Sequence, residues 1–262
     1  MRIIVPVKRV PDTASVRRID ATSRTVDRES SEAVLCPVNE YAIEEAMRIK
    51  ERTDAHVTVL IAAPESGRGI VQKALAYGLD EAVFVTDPAI AGSDAIGTAR
   101  VLAAALRHLE PWDLVLFGNQ STDARTSVVP AAVAELLGLP SITYARHLEL
   151  ADGSLVAHRE HEEGWDVVSA PLPAIVSVVE AINEPRFPSF KGIIAAKSKP
   201  VVDLDLAGIG LEPGLVGHGA AAAELIDFSE RPPKAAGTVV NDDGAGSSVG
   251  ALVDWMAERK FV

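Results

Sequence analysis

The chain has 262 residues, a formal net charge of −12 and a pI near 5.0. A chain of this length can bury one substantial hydrophobic core, or one domain with an appended arm. Its acidic balance argues against nucleic acid as the main partner. The single cysteine, Cys36, excludes an internal disulfide framework and a cysteine-based metal cluster.

The sequence also bears on where the protein works. No apolar stretch approaches the roughly 20 residues that a membrane-spanning helix needs, so we expect no integral membrane segment. Residues 1–5 lead directly into a strand, without the architecture of a signal peptide. We therefore predict a cytoplasmic protein.

Strand and helix patterns alternate along residues 1–140. The predicted strands lie at residues 3–7, 56–63, 81–86 and 112–117. Four helices are predicted: residues 39–51, a helix that ends at Tyr77, a helix that begins near Ser93, and residues 129–137. Asn39 and Ser93 are the predicted N-caps. This alternation is typical of βαβ units, so we predict an α/β fold, a Rossmann-like parallel sheet with helices on both faces.

The pattern changes from residue 141 onward. Shorter strands, a turn at residues 151–153 and a strongly apolar run at residues 172–179 predict a β-rich extension followed by a buried strand. After residue 200 the chain becomes acidic and rich in small residues, and a short helix at residues 249–259 is unstable without something to pack on. We therefore predict one domain at residues 1–200 and a C-terminal arm at residues 201–262.

Four places should meet at the carboxyl ends of the parallel strands: Pro6, Cys36, Ala62 and the loop that begins at Gly118. Ligands on such sheets bind beyond these ends, near a topological switch point. We expect these residues to line one shared pocket, with Cys36 as a wall residue and not a nucleophile.

The loop at residues 118–127, Gly-Asn-Gln-Ser-Thr-Asp-Ala-Arg-Thr-Ser, leaves a predicted strand and enters a helix. The first N–H groups of a helix lack partners and favour anions. Arg125, Thr126 and Ser127 add a charge and hydroxyl donors that suit phosphate. Neither a Walker A loop nor a G-x-G-x-x-G motif is present, so an ordinary capped helix without a ligand stays the alternative.

Residues 181–200 hold the second candidate site. Two prolines prevent this stretch from continuing the preceding strand, and they predict a stiff surface loop. The loop carries Phe187 and Phe190 close to Arg186. Exposed phenylalanines are costly unless they pack back onto the core or meet a partner, and the residues alone leave both alternatives open.

A family resemblance rests on this stretch. Asn183-Glu184-Pro185-Arg186-Phe187, followed by Gly-Ile-Ile-Ala-Ala-Lys-Ser-Lys at residues 192–199, resembles the signature of the electron transfer flavoprotein β subunit family, and the likeness covers nearly the whole chain. It implies an electron carrier subunit, not an enzyme, whose arm embraces an α subunit that holds most of the FAD. It also implies that the loop docks flavoprotein dehydrogenases, such as acyl-CoA dehydrogenases, with Phe190 at the position of the apolar anchor.

The resemblance extends to a cofactor and to the subunit boundary. Gly118, Gln120 and Asp123 match a family motif that lines a pocket for AMP, and Glu160 matches a carboxylate at the boundary near the flavin domain. In the electron-bifurcating branch of the family the pocket holds a second FAD, but the Asp-Gly-Asp-Thr run of that branch is missing here. We therefore expect AMP, with FAD or an empty pocket as alternatives. After Asp123 the loop departs from the AMP-binding members, which are more acidic and amide-rich at residues 124–129. With the residues placed at the strand ends, the predicted cofactor-binding residues are Pro6, Cys36, Ala62, Asp123, Arg125, Thr126, Ser127, Val128 and Val129.

A function from another class also fits part of the sequence. A stand-alone adenine-nucleotide-binding sensor, or an ATP-hydrolysing protein, would account for the α/β core and the anion-ready helix. It would not account for the aromatic loop or the arm. No metal site is predicted, because His158 and His161 are three residues apart on a strand and point to opposite faces.

Overall fold

The computed structural model describes residues 1–229, 232, 234–242 and 244–262. The strands are β1 (Arg2–Val7), β2 (Arg9–Pro11), β3 (Ile19–Asp20), β4 (Thr25–Val26), β5 (Ala33–Leu35), β6 (His56–Ala62), β7 (Glu81–Val85), β8 (Leu114–Gly118), β9 (Ser141–Ala151), β10 (Ser154–His161), β11 (Gly164–Pro171), β12 (Ala174–Val178) and β13 (Val201–Leu204). The α-helices are α1 (Pro37–Thr53), α2 (Gly69–Leu75), α3 (Ala95–His108), α4 (Val129–Leu137), α5 (Phe190–Ala196) and α6 (Ser247–Glu258).

A nine-stranded sheet lies at the centre, in the order β11-β10-β9-β12-β8-β1-β6-β7-β13. Along this order, the strands β9-β12-β8-β1-β6-β7-β13 all pair parallel with their neighbours. β10 pairs antiparallel with both β9 and β11. The central strands are continuous apolar runs because helices cover both of their faces. The predicted α/β sheet with helices on both faces is confirmed, and β9, β10 and β11 form its β-rich extension.

Two hydrophobic cores lie on opposite faces of the sheet. Ile3 and Val5 of β1 belong to one core, with α1 and α2, whereas Ile4 between them belongs to the other, with α3 and α4. This split follows from the period of two along a strand, which sends neighbouring side chains to opposite faces.

The first compact unit extends beyond the predicted boundary at residue 200. It spans Met1–Leu225, and the second unit spans Ile226–Val262. β13 pairs with β7, and Leu206 is buried in the core beside α3, so the start of the predicted arm belongs to the domain. Four residues of that arm, at positions 230, 231, 233 and 243, lie outside the described residues.

Two predicted N-caps have other roles. α1 begins at Pro37, and the buried Asn39 side chain accepts a hydrogen bond from the Lys8 amide at 2.9 Å. α3 is capped by Asp94, whose Oδ1 accepts from the Gly97 amide at 2.8 Å, while the neighbouring Ser93 does not cap it. Local sequence does not show that Asn39 has a distant partner in Lys8. It also does not show which of the neighbouring Ser93 and Asp94 caps the helix.

The predicted loop at residues 181–200 ends in a helix. Ser189 caps α5 by accepting a hydrogen bond from the Gly192 amide at 3.0 Å, so residues from Phe190 onward are helical.

Among the helices that the structure describes, none combines the length and the apolar character needed to cross a bilayer.

Candidate functional site

β1 and β8 flank the topological switch point of the sheet. From β1 the chain passes to β6 and β7 on one side, and then crosses to β8 on the other side. Pro6 and Cys36 are buried near this edge, and Ala62, the last residue of β6, is half-buried. The Cys36 amide donates to the Lys8 carbonyl at 2.9 Å, and its Sγ lies 4.0 Å from Thr122 Oγ1. Cys36 therefore lies against the loop at the edge where ligands bind such sheets, and a pocket that Cys36 shares with Pro6 and Ala62 stays a prediction.

Gly118 ends β8 where the backbone comes closest to α1. A Cβ there would lie 2.7 Å from the Val38 carbonyl oxygen and 2.9 Å from Asn39 Nδ2, so the position accepts no side chain without a shift. The backbone N–H of the next residue, Asn119, donates to the Val178 carbonyl at 3.0 Å. Its buried Oδ1 accepts no hydrogen bond from the part of the chain that the structure describes. A buried acceptor without a donor is costly, which makes this oxygen suited to a ligand's N–H or O–H group.

Asp123 lies at the centre of an ion-pair network. Its side chain is fully buried, with Oδ1 2.8 Å from Lys8 Nζ and Oδ2 2.8 Å from Arg28 Nε. Burial acts to raise the pKa of the carboxyl, but Lys8 and Arg28 outweigh this effect and lower the pKa to about 2. Because both oxygens are bound by protein groups, Asp123 holds the loop against β1 and the segment around Arg28. Its contact with a nucleotide stays a prediction.

The remaining loop residues face solvent or the helix start. Arg125, Thr126 and Val128 are exposed, and Ser127 and Val129 are half-buried. Arg125 and Ser127 have positive φ values of 51° and 57°, and Val128 returns to the right-handed region. A residue with positive φ followed by a right-handed one resembles the anion-binding nests of other proteins, in which neighbouring N–H groups turn toward one side. The Arg125 N–H itself donates to the Ser121 carbonyl at 3.0 Å.

The start of α4 strengthens this anion site. No side chain of a described residue caps the helix, so the first N–H groups, apart from Pro130, which has none, keep their capacity for an anion up to Ala131. Together with the charge of Arg125, the helix start suits a phosphate group, and the buried Asn119 oxygen offers an acceptor for an N–H or O–H of the same ligand. The residues present fit such a cofactor.

Residues 183–196, which we predict to dock a partner and call the docking segment, carry an exposed apolar patch. We define the apolar patch as Phe187, Phe190, Ile193 and Ile194, which are 94%, 80%, 47% and 55% exposed. The last three lie at positions i, i+3 and i+4 of α5 and therefore share one face. Of the two alternatives for the phenylalanines, the structure excludes the core and leaves both rings in solvent.

The base of the docking segment is fastened to neighbouring helices. The Asn183 side-chain Nδ2 donates to the Tyr41 carbonyl at 3.0 Å, and Arg186 lies between Glu44 and Glu51 of α1. Glu184 is exposed and Pro185 half-buried. At Gly192, a Cβ would collide with the carbonyl oxygen of Ala76 after α2, so only glycine lets α5 approach so closely.

Glu160 lies on the β-rich extension, away from these two loops in the sheet order. It is half-buried in β10, 3.6 Å from Arg146 Nη1, and Arg146 lies over the Trp165 ring at 4.8 Å. Of the described residues, no group of three or more His, Cys, Asp or Glu side chains could hold a metal ion.

Sequence reasoning missed three groups at the edge of the sheet where β1 and β8 end. Lys8 directly follows the first strand, so its place at a carboxyl end was a usable signal. Arg28 lies in a polar stretch without periodicity, and the unpartnered oxygen of Asn119 becomes visible only in three dimensions.

Comparison with known proteins points to one family. The electron transfer flavoprotein domain matches residues 23–208. The chain is 44% identical over 265 residues to the electron transfer flavoprotein subunit beta of Mycobacterium tuberculosis (strain ATCC 25618 / H37Rv), with 99% of each chain covered. It is 31% identical to that of Megasphaera elsdenii and 32% identical to the caffeyl-CoA reductase-Etf complex subunit CarD of Acetobacterium woodii, each over 100% of both chains. These full-length similarities show that the chain belongs to the electron transfer flavoprotein β subunit family.

Proposed function

We propose that this chain pairs with an α subunit in a heterodimeric electron transfer flavoprotein. The complex accepts electrons from flavoprotein dehydrogenases, such as acyl-CoA dehydrogenases, and passes them toward the respiratory chain. FAD, held mainly by the α subunit, supplies the redox chemistry. This chain turns over no substrate at its own residues, and its cytoplasmic location stays a prediction.

The apolar patch is the observation that carries this proposal. Electron transfer between flavins requires close approach of two proteins, so a carrier subunit must encode docking. Phe190 is 80% exposed at the start of a helix whose base is fixed, which is the form of an interface anchor. A dehydrogenase with an apolar pocket would bury this ring without first ordering the segment.

We also propose that the loop at residues 118–129 binds AMP in a structural role. The nest and the uncapped start of α4 would receive the phosphate, and Arg125 would add a charge beside it. The Asn119 oxygen would accept a hydrogen bond from the nucleotide. Bound between β1 and β8, the nucleotide would stiffen the edge of the sheet from which the loop emerges.

The test of function is electron transfer with Phe190 replaced by Ala. The chain is co-produced with its α subunit, and reduction of the bound FAD by a dehydrogenase is followed. Loss of an anchor worth roughly 2–4 kcal/mol should weaken transfer by about 30-fold or more. FAD content, assembly and melting temperature should barely change, because the ring is already exposed.

Leu215→Ala provides the matched control, since Leu215 is 45% exposed and belongs to the segment beside α3. It should leave electron transfer unchanged. If Phe190→Ala lowers the melting temperature while transfer stays intact, the docking role is wrong. If the chain gains no FAD-containing complex with any α subunit, a stand-alone nucleotide-binding protein becomes the better description.

A further inference from the structure

Arg186 is enclosed by carboxylates at the base of the docking segment. Its Nε lies 2.7 Å from Glu44 Oε2, and its Nη2 lies 3.0 Å from Glu44 Oε1 and 3.2 Å from Glu51 Oε2. Its backbone amide also donates to Glu44 Oε2 at 3.2 Å. The guanidinium therefore joins a segment that follows β12 to two residues of α1 that lie about two turns apart, more than 130 residues earlier in the chain.

Glu44 gives this contact its strength. Its side chain is only 4% exposed, and it also accepts a hydrogen bond from Arg48 Nε at 2.9 Å. Burial acts to raise the pKa of Glu44, but Arg186 and Arg48 outweigh it and lower the pKa, so the carboxylate stays charged. Withdrawal of Arg186 would leave a buried charge with half of its partners, which is unfavourable.

The same contacts leave Arg186 little capacity for direct partner recognition. Its positive charge faces one buried and one exposed carboxylate, and its own side chain is 35% exposed. A guanidinium bound in this way presents little net charge to an approaching protein. Instead, these contacts fix the backbone at Arg186, which immediately precedes Phe187 and leads to the N-cap of α5.

We infer that Glu44 and Arg186 are positioning residues that hold the docking segment in its binding conformation. This inference rests on the proposed docking function of the apolar patch. A segment that is ordered before binding loses little conformational entropy on docking, so the pair lowers the cost of association without touching the partner. Glu51 assists by binding the outer edge of the same guanidinium.

The test uses the heterodimer and two readouts, hydrogen exchange across residues 183–196 and steady-state kinetics with a dehydrogenase. Arg186→Gln should raise exchange in the segment and raise KM for the dehydrogenase by about tenfold, with kcat unchanged. Arg159→Gln is the matched control, because Arg159 forms an ion pair with Asp166 on the β-rich extension, outside the network around Glu44. It should change neither readout.

Glu51→Gln separates positioning from direct contact by the sign of its effect, and it tests the inference even if Arg186→Gln fails to fold. Positioning predicts more exchange and a higher KM. If Arg186 instead binds an acidic partner surface, loss of Glu51 frees its charge and lowers KM with exchange unchanged, which would overturn the inference.

The two proposals can fail separately. If Phe190→Ala has no effect on transfer, the docking function fails, while hydrogen exchange still reports on the pair. If Phe190→Ala weakens docking but Arg186→Gln alters neither exchange nor KM, the positioning role alone is wrong.

Discussion

Arg28 Nε lies 2.8 Å from Asp123 Oδ2, so a residue of the polar stretch between β2 and β5 is bound to the loop at residues 118–127. Lys8, directly after β1, binds the other oxygen of the same carboxylate. One buried side chain thus joins three segments that are distant in sequence. A change at this carboxylate should loosen the polar stretch and the loop together.

Replacement of Asp123 by Asn should destabilise the chain in a pH-dependent way. The folded-state pKa of the carboxyl is lowered from 3.8 to about 2, which corresponds to about 2 kcal/mol of stability at neutral pH. Because the folded pKa lies below the unfolded one, this stabilisation is complete above about pH 4 and is lost as the pH falls toward 2. Urea unfolding of both forms at pH 7 and at pH 3 measures the difference.

The stability gap between the two forms should therefore be smaller at pH 3 than at pH 7. A gap that does not change with pH would contradict the ion pairing. Asp166→Asn is the control, because Asp166 forms an exposed ion pair with Arg159, and such pairs contribute little.

Reversal of the charge at Arg125 tests the nucleotide site. Denaturation of the purified protein should release AMP in a near one-to-one ratio, detected by mass spectrometry. Arg125→Glu should lower that occupancy, because a carboxylate beside the nest repels phosphate. Unchanged occupancy would assign the phosphate to the backbone amides, and stoichiometric FAD in the isolated subunit would overturn the AMP assignment.

Two glycine substitutions should change stability in opposite directions. Gly192→Ala should destabilise the chain and displace α5, because its Cβ would collide with the Ala76 carbonyl oxygen. Gly69→Ala, at the start of α2, meets nothing within 4 Å and should stabilise its helix by up to about 1 kcal/mol. Thermal unfolding of both variants measures whether each one gains or loses stability. Stabilisation by Gly192→Ala would contradict the close packing of α5.

The C-terminal unit should respond to the α subunit. α6 is a short helix that exposes Val249, Leu252, Val253 and Trp255, and a helix of this length is unstable without packing. Limited proteolysis should cut residues 234–262 readily in the isolated chain and slowly in the heterodimer. Equal protection in both forms would mean that this helix packs within its own subunit.

Local patterns predicted the elements well where their ends carry strong signals. α4 spans Val129–Leu137 as predicted, because Pro130 lies in its first turn and Gly138 ends it in the left-handed conformation. The domain boundary was harder, since four residues of β13 look like the start of a tail until their pairing with β7 is known. The carboxylate contacts of Arg28 and Arg186 join residues 95 and 142 positions apart, which no local pattern contains.

The placement of β12 has a consequence for how such a carrier changes its partners. β12 is bonded to β8 and β9 on its two sides, and its last residue, Val178, is in register with Gly118. The docking segment therefore follows a strand that is held on both sides within the sheet. A change in the direction of the segment would disturb β8, the strand that leads into the loop at residues 118–127. Under the proposed docking role, new partners would be acquired by exchange of the solvent-facing side chains on α5, while the direction from which a partner approaches would stay the same.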